Sequence, residues 1–277
     1  MVEIKTPEQI AKMREAGLIV AEALAACREA VAPGVTTREL DAIAAKVISD
    51  RGAKSNFLGY HGFPGVICAS VNDEVVHGIP GDRRLENGDM ISIDCGAIVD
   101  GWHGDSAITV LVGEGHPEEL VALSRVTEES MWAGIAQVKK NNRLSDLSRA
   151  IESYIRRQPL PPKGKYGIIE DFGGHGIGSE MHMDPHLLNY VDRRRGRGPK
   201  LVPGFCIAIE PMVSLGTPRT HTLEDEWTVK TNDGTWASHW EHSIAVTEEG
   251  PLVLTAFDGG RAKLAELGIT AAPDPLA

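Results

Sequence analysis

The stretch Gly88-Asp89-Met90-Ile91-Ser92-Ile93-Asp94 ends an apolar, strand-like run on a carboxylate. Eleven residues beyond Asp94, Asp105-Ser106-Ala107-Ile108-Thr109-Val110 begins another such run on a carboxylate. Between them lies Asp100-Gly101, a dipeptide that suits a tight hairpin turn. The same pattern returns downstream. Pro203-Gly204-Phe205-Cys206-Ile207-Ala208-Ile209-Glu210 closes on an acid, and Glu241-His242-Ser243-Ile244-Ala245-Val246 opens on one. Two matched pairs of strands imply an internal duplication with four acids converging at its centre.

The flanking segments repeat in the same order. Thr6-Pro7-Glu8-Gln9 forms a capping box with proline at the first helical position. Apolar residues at Ile10, Met13, Leu18, Ile19, Val20 and Leu24 continue that helix toward Pro33-Gly34. A second box, Thr36 with Glu39, opens a shorter helix carrying Leu40, Ile43 and Val47, which Gly52 stops. A strand-like run follows at 65–71, before the hairpin. In the second half a long helix is predicted from Pro117 to about Val138 and a shorter one from about Leu144 to Arg157. A connection with Pro159, Pro161 and Pro162 leads on to the strands. The expected fold is mixed α/β (α+β), a pseudo-twofold pair of helix–helix–strand halves around a central antiparallel sheet. One catalytic domain is expected over 1–277, with halves at about 4–115 and 116–256. A short helix is expected within 259–267 and a loose tail over 268–277.

Composition narrows the function. The chain has 277 residues, and 28 Lys plus Arg against 39 Asp plus Glu give a net charge of −11. That surplus argues against DNA or RNA binding, which needs a basic face. The basic run Arg193-Arg194-Arg195-Gly196-Arg197, within a loop at 190–203, reads as a solvated surface, with an anionic partner as the alternative. No segment reaches the ~18 apolar residues of a membrane span. The N-terminus shows no apolar signal region. Four scattered cysteines, Cys27, Cys68, Cys95 and Cys206, without a C-x-x-C pair, fit the reducing cytoplasm.

The four acids then need a chemical reason to sit together. Bare carboxylates on neighbouring strands repel and raise each other's pKa, and a divalent cation removes the conflict. His175 lies in Asp171-Phe172-Gly173-Gly174-His175-Gly176-Ile177-Gly178, where glycines are expected to let the backbone approach a ligand and leave the imidazole open. The run fails G-x-G-x-x-G, because Ser179 stands at the last position. His182 and His186 have i, i+4 spacing, but Pro185 intervenes and the pair reads as a loop coincidence. No G-x-S-x-G or catalytic-cysteine signature supplies a covalent nucleophile. Asp94, Asp105, Glu210 and Glu241 with His175 form a mainly oxygen donor set, suited to Mn²⁺, Fe²⁺, Co²⁺ or Zn²⁺. Two such ions neutralise four carboxylates and activate water together. The residues alone therefore point to a dinuclear metallohydrolase.

Six segments in combination carry a resemblance: His77-Gly78-Ile79-Pro80, Asp94, His103-Gly104-Asp105, Gly174-His175-Gly176-Ile177-Gly178, Ile209-Glu210-Pro211-Met212 and Glu241-His242-Ser243. Over about residues 4–256 the chain resembles the bacterial type I methionine aminopeptidases, which have the pita-bread fold. The resemblance implies that Asp94, Asp105, His175, Glu210 and Glu241 hold two metal ions, with Asp105 and Glu241 bridging them. It assigns His77 and His182 to substrate contact and proton transfer. From the residues alone, His77 reads as a loop histidine after Val75-Val76. Glu210 is implied to shuttle a proton from the bridging hydroxide to the departing amine. Tyr60, Phe63, Cys68, Met181 and Trp227 are implied to wall the methionine pocket, although each also reads as ordinary core. The chain departs from many members at Phe57, Phe63 and Met181, where cysteine, tyrosine and phenylalanine are common.

The expected activity is removal of the initiator methionine from nascent polypeptide N-termini when the next residue is small. A transient ribosome contact and a monomeric state follow from the resemblance. Two rivals remain at this stage: a proline-specific aminopeptidase or dipeptidase of the same fold, and a non-catalytic relative that only binds partners.

Overall fold

The computed structural model describes residues 2–159 and 164–277, so Pro161 and Pro162 of the proline-rich connection lie outside the described residues. Helix α1 spans Pro7–Ala30 and begins with the expected capping box: Gln9 N donates to Thr6 Oγ1 at 3.3 Å, and Thr6 N donates to the Gln9 side chain at 2.8 Å. Helix α2, Thr37–Asp50, has the matching box at Thr36 and Glu39. In the second half, α3 covers Glu118–Ile135 and α4 covers Leu144–Arg157. A short helix α5, Arg261–Glu266, follows the strands.

The first sheet is built on the strands Met90–Val99 and Trp102–Leu111, joined by Asp100-Gly101. Both turn residues have positive φ (50° and 84°), the backbone of a two-residue turn whose twist matches the strands. The strand Met90–Val99 also pairs with Ile67–Val71 and Lys54–Ser55. The second sheet runs Pro251–Val253, His242–Val246, Cys206–Ile209, Gly174–Gly176, Met183–Leu187, antiparallel throughout. A bridge joins these two sheets. Glu241 N donates to Ala107 O at 2.9 Å, and Ala107 N donates to Glu241 O at 3.3 Å. Ser243 strengthens this seam by donating to Asp105 O at 2.7 Å and accepting from Asp105 N at 3.1 Å.

The hairpin strands are longer than the sequence suggested. They run through Asp94 and Asp105 instead of ending and starting there. The ladder continues to the turn because each residue meets an opposing partner, Cys95 with Ser106 and Ala97 with Gly104, so the acids occupy mid-strand positions. Helix α1 lies across the hairpin at close range. A Cβ on Gly104 would stand 2.8 Å from Gly17 N, and one on Gly17 would stand 2.2 Å from Leu254 O. Burial of Met13, Val20 and Leu24, which share a helix face with Gly17, stabilises the arrangement by roughly 1.5–3 kcal/mol per side chain.

The tail differs from expectation. Ala272 is buried and donates its N–H to Pro251 O, and Asp274 accepts from Arg14 Nη2 at 2.7 Å and Nε at 3.0 Å. Arg14 is fully buried, and its Nη1 also donates to Leu254 O and Ala256 O. A buried guanidinium needs that carboxylate, and the need ties the last residues to α1. The basic loop is also fastened: Arg197 donates to Asp146 at the start of α4, and Arg143 donates to Gly198 O. Among the described residues no helix is long and apolar enough to cross a membrane.

Candidate metal centre and substrate cavity

Asp94 faces Ala107 across the hairpin and Asp105 faces Gly96, so the two acids are diagonal neighbours on one face, not directly opposite. Glu210 follows the strand Cys206–Ile209, and Glu241 sits at the bridge between the sheets. His175 is the middle residue of the strand Gly174–Gly176. Donor atoms of Asp105, His175 and Glu241 lie within 4.8 Å of one another, and those of Glu210, His239 and Glu241 do the same. His175 Nε2 is 3.5 Å from Glu210 Oε1 and 3.9 Å from Glu241 Oε1.

The chemistry of this cluster fits a cation. Asp94 Oδ1, Asp105 Oδ1 and Glu241 Oε1 are buried and accept no hydrogen bond. Buried polar atoms are rarely left so, and three orphaned carboxylate oxygens in one place call for a positive charge. His175 Nδ1 contacts Gly176 O at 3.0 Å, and a carbonyl only accepts, so Nδ1 carries the proton. Nε2 is left with its lone pair toward Glu210 and Glu241, the orientation of a metal-binding imidazole. Burial, opposed by His239 and reinforced by Glu210, raises Asp94 to about 7; burial drives Asp105, Glu210 and Glu241 well above the carboxylate range, with repulsion from neighbouring acids adding to it at Asp105 and Glu241. Burial also lowers His175 to about 3, so its ring is neutral and available as a donor.

The glycines around His175 serve a different end from the one expected. A Cβ on Gly174 would meet Ala208 O at 2.2 Å, and one on Gly176 would meet Asp184 O at 2.2 Å. They let neighbouring backbone press against the histidine strand from both sides, which brings His175 and Glu210 together. His186, set aside as a loop residue, pairs opposite His175 on the strand Met183–Leu187 and lines the cavity.

A cavity of about 540 Å³ opens over the acids, and every site residue named from the sequence lines it. Its apolar end gathers Phe57, Phe63, Cys68 and Met181, with Tyr60 and Trp227 packed against them. Phe63 meets Trp227 edge to face at 5.1 Å between ring centroids. Cys68 is the strand partner of Asp94, and burial pushes its thiol well up, so it stays a neutral wall. His77 takes a positive φ of 61° and packs on Phe172; burial lowers it to about 4, with His239 and His182 adding to the shift. His182 stands at the mouth, bonded through Nδ1 to the Tyr60 hydroxyl at 2.9 Å, its ring 4.3 Å from that of His175.

One residue at the centre escaped the sequence reading. His239 lines the cavity within reach of Glu210. The available signal was its position two residues before Glu241, the spacing that sends both side chains to one face of an extended chain.

The sequence profile of metallopeptidase family M24 matches residues 11–248. Methionine aminopeptidase 1 of Mycobacterium tuberculosis is 51% identical over 256 residues, covering 92% of this chain and 95% of that protein. Methionine aminopeptidase 1 of Bacillus subtilis is 45% identical, with 92% and 99% covered. The crystal structure of a methionine aminopeptidase from Rickettsia prowazekii superposes at a TM-score of 0.87 with 37% identity, covering 92% of this chain and all of that one. The prolidase of Pyrococcus furiosus reaches a TM-score of 0.70 at 22% identity, with 65% of its length covered, and so shares the fold.

Proposed function

The chain belongs to metallopeptidase family M24 and, within it, to the bacterial methionine aminopeptidases, and we propose that it removes the initiator methionine from nascent polypeptides whose second residue is small. The observation that carries this reading is a cluster of buried acids with orphaned oxygens at the floor of an open, largely apolar cavity. Asp94, Asp105, His175, Glu210 and Glu241 would hold two divalent ions, Mn²⁺, Fe²⁺, Co²⁺ or Zn²⁺. Ions bound there lower the pKa of a water and polarise the scissile carbonyl.

The chain's own residues do the rest. Glu210, at the floor of the cavity with one oxygen toward His175 and the other toward His239, is placed to take a proton from the attacking water and give it to the departing amine. Neutral His77 donates a ring N–H to the substrate carbonyl region, and His182, steadied by Tyr60, contacts the chain at the mouth. The methionine thioether rests against Phe63, Trp227, Cys68 and Met181, where sulfur–aromatic contact is favourable. Phe57 and Phe63 remove polar groups from this wall where many members have cysteine and tyrosine, and Met181 puts a flexible thioether where phenylalanine is common.

The working setting is the cytoplasm, as a monomer that meets nascent chains and touches the ribosome transiently. Hydrolysis of Met-Ala-Ser against Ala-Pro peptides, with Mn²⁺ or Co²⁺, tests the reading. Release of free methionine from the first and none from the second is expected. The reverse preference would assign the chain to proline-directed chemistry, and no hydrolysis with either would support a partner-binding relative.

A further inference from the structure

Five donors account for the centre by resemblance, yet a sixth faces it. His239 ends the strand Ala237–His239 and is 2% exposed. Its Nε2 is buried and makes no hydrogen bond, although Glu210 Oε2 is only 3.3 Å away. That contact mirrors the one made by His175, whose Nε2 is 3.5 Å from Glu210 Oε1. Glu210 thus presents one carboxylate oxygen to each of two imidazoles. Donor atoms of Glu210, His239 and Glu241 fall within 4.8 Å of one another, the same span as the set made by Asp105, His175 and Glu241. Glu241 is common to both sets.

The imidazole is held in place by its strand. His239 N donates to Thr109 Oγ1 at 3.1 Å and to Ser92 Oγ at 3.2 Å, and its carbonyl accepts from Thr109 Oγ1 at 2.8 Å. A ring nitrogen pinned in the interior without a partner is costly, on the order of 1–3 kcal/mol, unless something outside the protein satisfies it. A side chain kept merely for packing needs no such nitrogen.

The geometry points to His239 as an additional nitrogen ligand, sharing an ion with Glu210 and Glu241, so that the centre has two imidazole donors. This assignment rests on the dinuclear reading above. It carries a chemical consequence. Imidazole suits borderline cations such as Co²⁺ and Zn²⁺ better than Mn²⁺, so His239 biases the site toward the former.

The test uses the full chain stripped of metal by chelation, titrated calorimetrically with Co²⁺ and with Mn²⁺, as wild type and as His239→Gln. Loss of the ligand is expected to weaken Co²⁺ at one of the two sites by ~10–100-fold and Mn²⁺ by less. The visible Co²⁺ absorption is expected to shift as a nitrogen donor is lost. A measurement without any variant stands beside it: zinc titration of the wild-type chain followed by imidazole ¹⁵N resonances. Two ring nitrogens, those of His175 and His239, should move with zinc occupancy. Unchanged Co²⁺ affinity, or only one responding nitrogen, would overturn the role of His239 while leaving the metal centre in place. A wild-type chain that binds no divalent ion would instead remove the reading on which the proposal rests.

Discussion

Gly174→Ala tests how the site is assembled, because the structure fixes what the added methyl must meet. Its Cβ would stand 2.2 Å from Ala208 O, a backbone atom with no rotamer to change. A carbon–oxygen contact needs about 3.3 Å, so the strands Gly174–Gly176 and Cys206–Ile209 must part by about 1 Å. His175 rides on the first of these strands and Glu210 follows the second, so the separation passes into their 3.5 Å contact. Overpacking of this kind costs about 1–3 kcal/mol. For a chain of this size each kcal/mol lowers Tm by roughly 2–4 °C, giving a fall of roughly 2–12 °C. Displacing the donors by that distance should cost on the order of 100-fold in kcat/KM. Gly196→Ala is the control, since nothing lies within 4 Å of its Cβ, and it should change stability by less than about 0.5 kcal/mol. Calorimetric melting, metal titration and methionine release measure all three effects. If Gly174→Ala melts, binds metal and turns over as the wild type does, the strand-packing account is wrong, and the glycines return to the role of clearing space for a ligand.

Other expectations follow from the same geometry. Asp105→Ala should abolish turnover and lower the bound-metal count; near wild-type activity would remove Asp105 from the centre. In the chelated chain, Asp94 and its neighbours have folded pKa values above their unfolded ones. The contribution of Asp94 is therefore present at low pH and mostly lost by about pH 7, while those of Asp105, Glu210 and Glu241, raised well above the carboxylate range, continue to be lost at higher pH. His77 and His242, lowered to about 4 by burial, oppose this between pH 4 and 6.5, so the clear decline lies above pH 6.5. Urea melts from pH 6.5 to 8 with chelator should show falling stability that added metal reverses; a flat profile would contradict the buried-acid account. Asp274→Ala strips the carboxylate from buried Arg14 and should cost about 3 kcal/mol while leaving activity at room temperature intact. An unchanged Tm would mean that the tail contributes nothing to the fold.

The parts legible in the sequence were those governed by local chemistry. Both capping boxes, the Asp100-Gly101 turn and the helix α4 follow from residues a few positions apart, and the structure has them where the pattern predicts. The four acids stood out because they stand at matched ends and starts of paired apolar runs. What remained hidden depends on distant partners. The strands run on past Asp94 and Asp105 because opposing chain is there to receive them, which propensity does not register. Arg14 and Asp274 meet across almost the whole length of the chain, so the tail looked loose. Gly174 and Gly176 are small because backbone from other strands presses on them, a cause that cannot be told in sequence from room for a ligand. His239 was overlooked because a lone histidine beside Trp240 resembles core, and only its phase with Glu241 marked it.

The most direct test of the central claim is to titrate the metal-free chain with Mn²⁺ or Co²⁺ while counting bound ions and following free methionine from Met-Ala-Ser. The account predicts that activity climbs with occupancy and levels off when two ions are held per chain. Full activity without bound metal, or occupancy of both positions without methionine release, would contradict it.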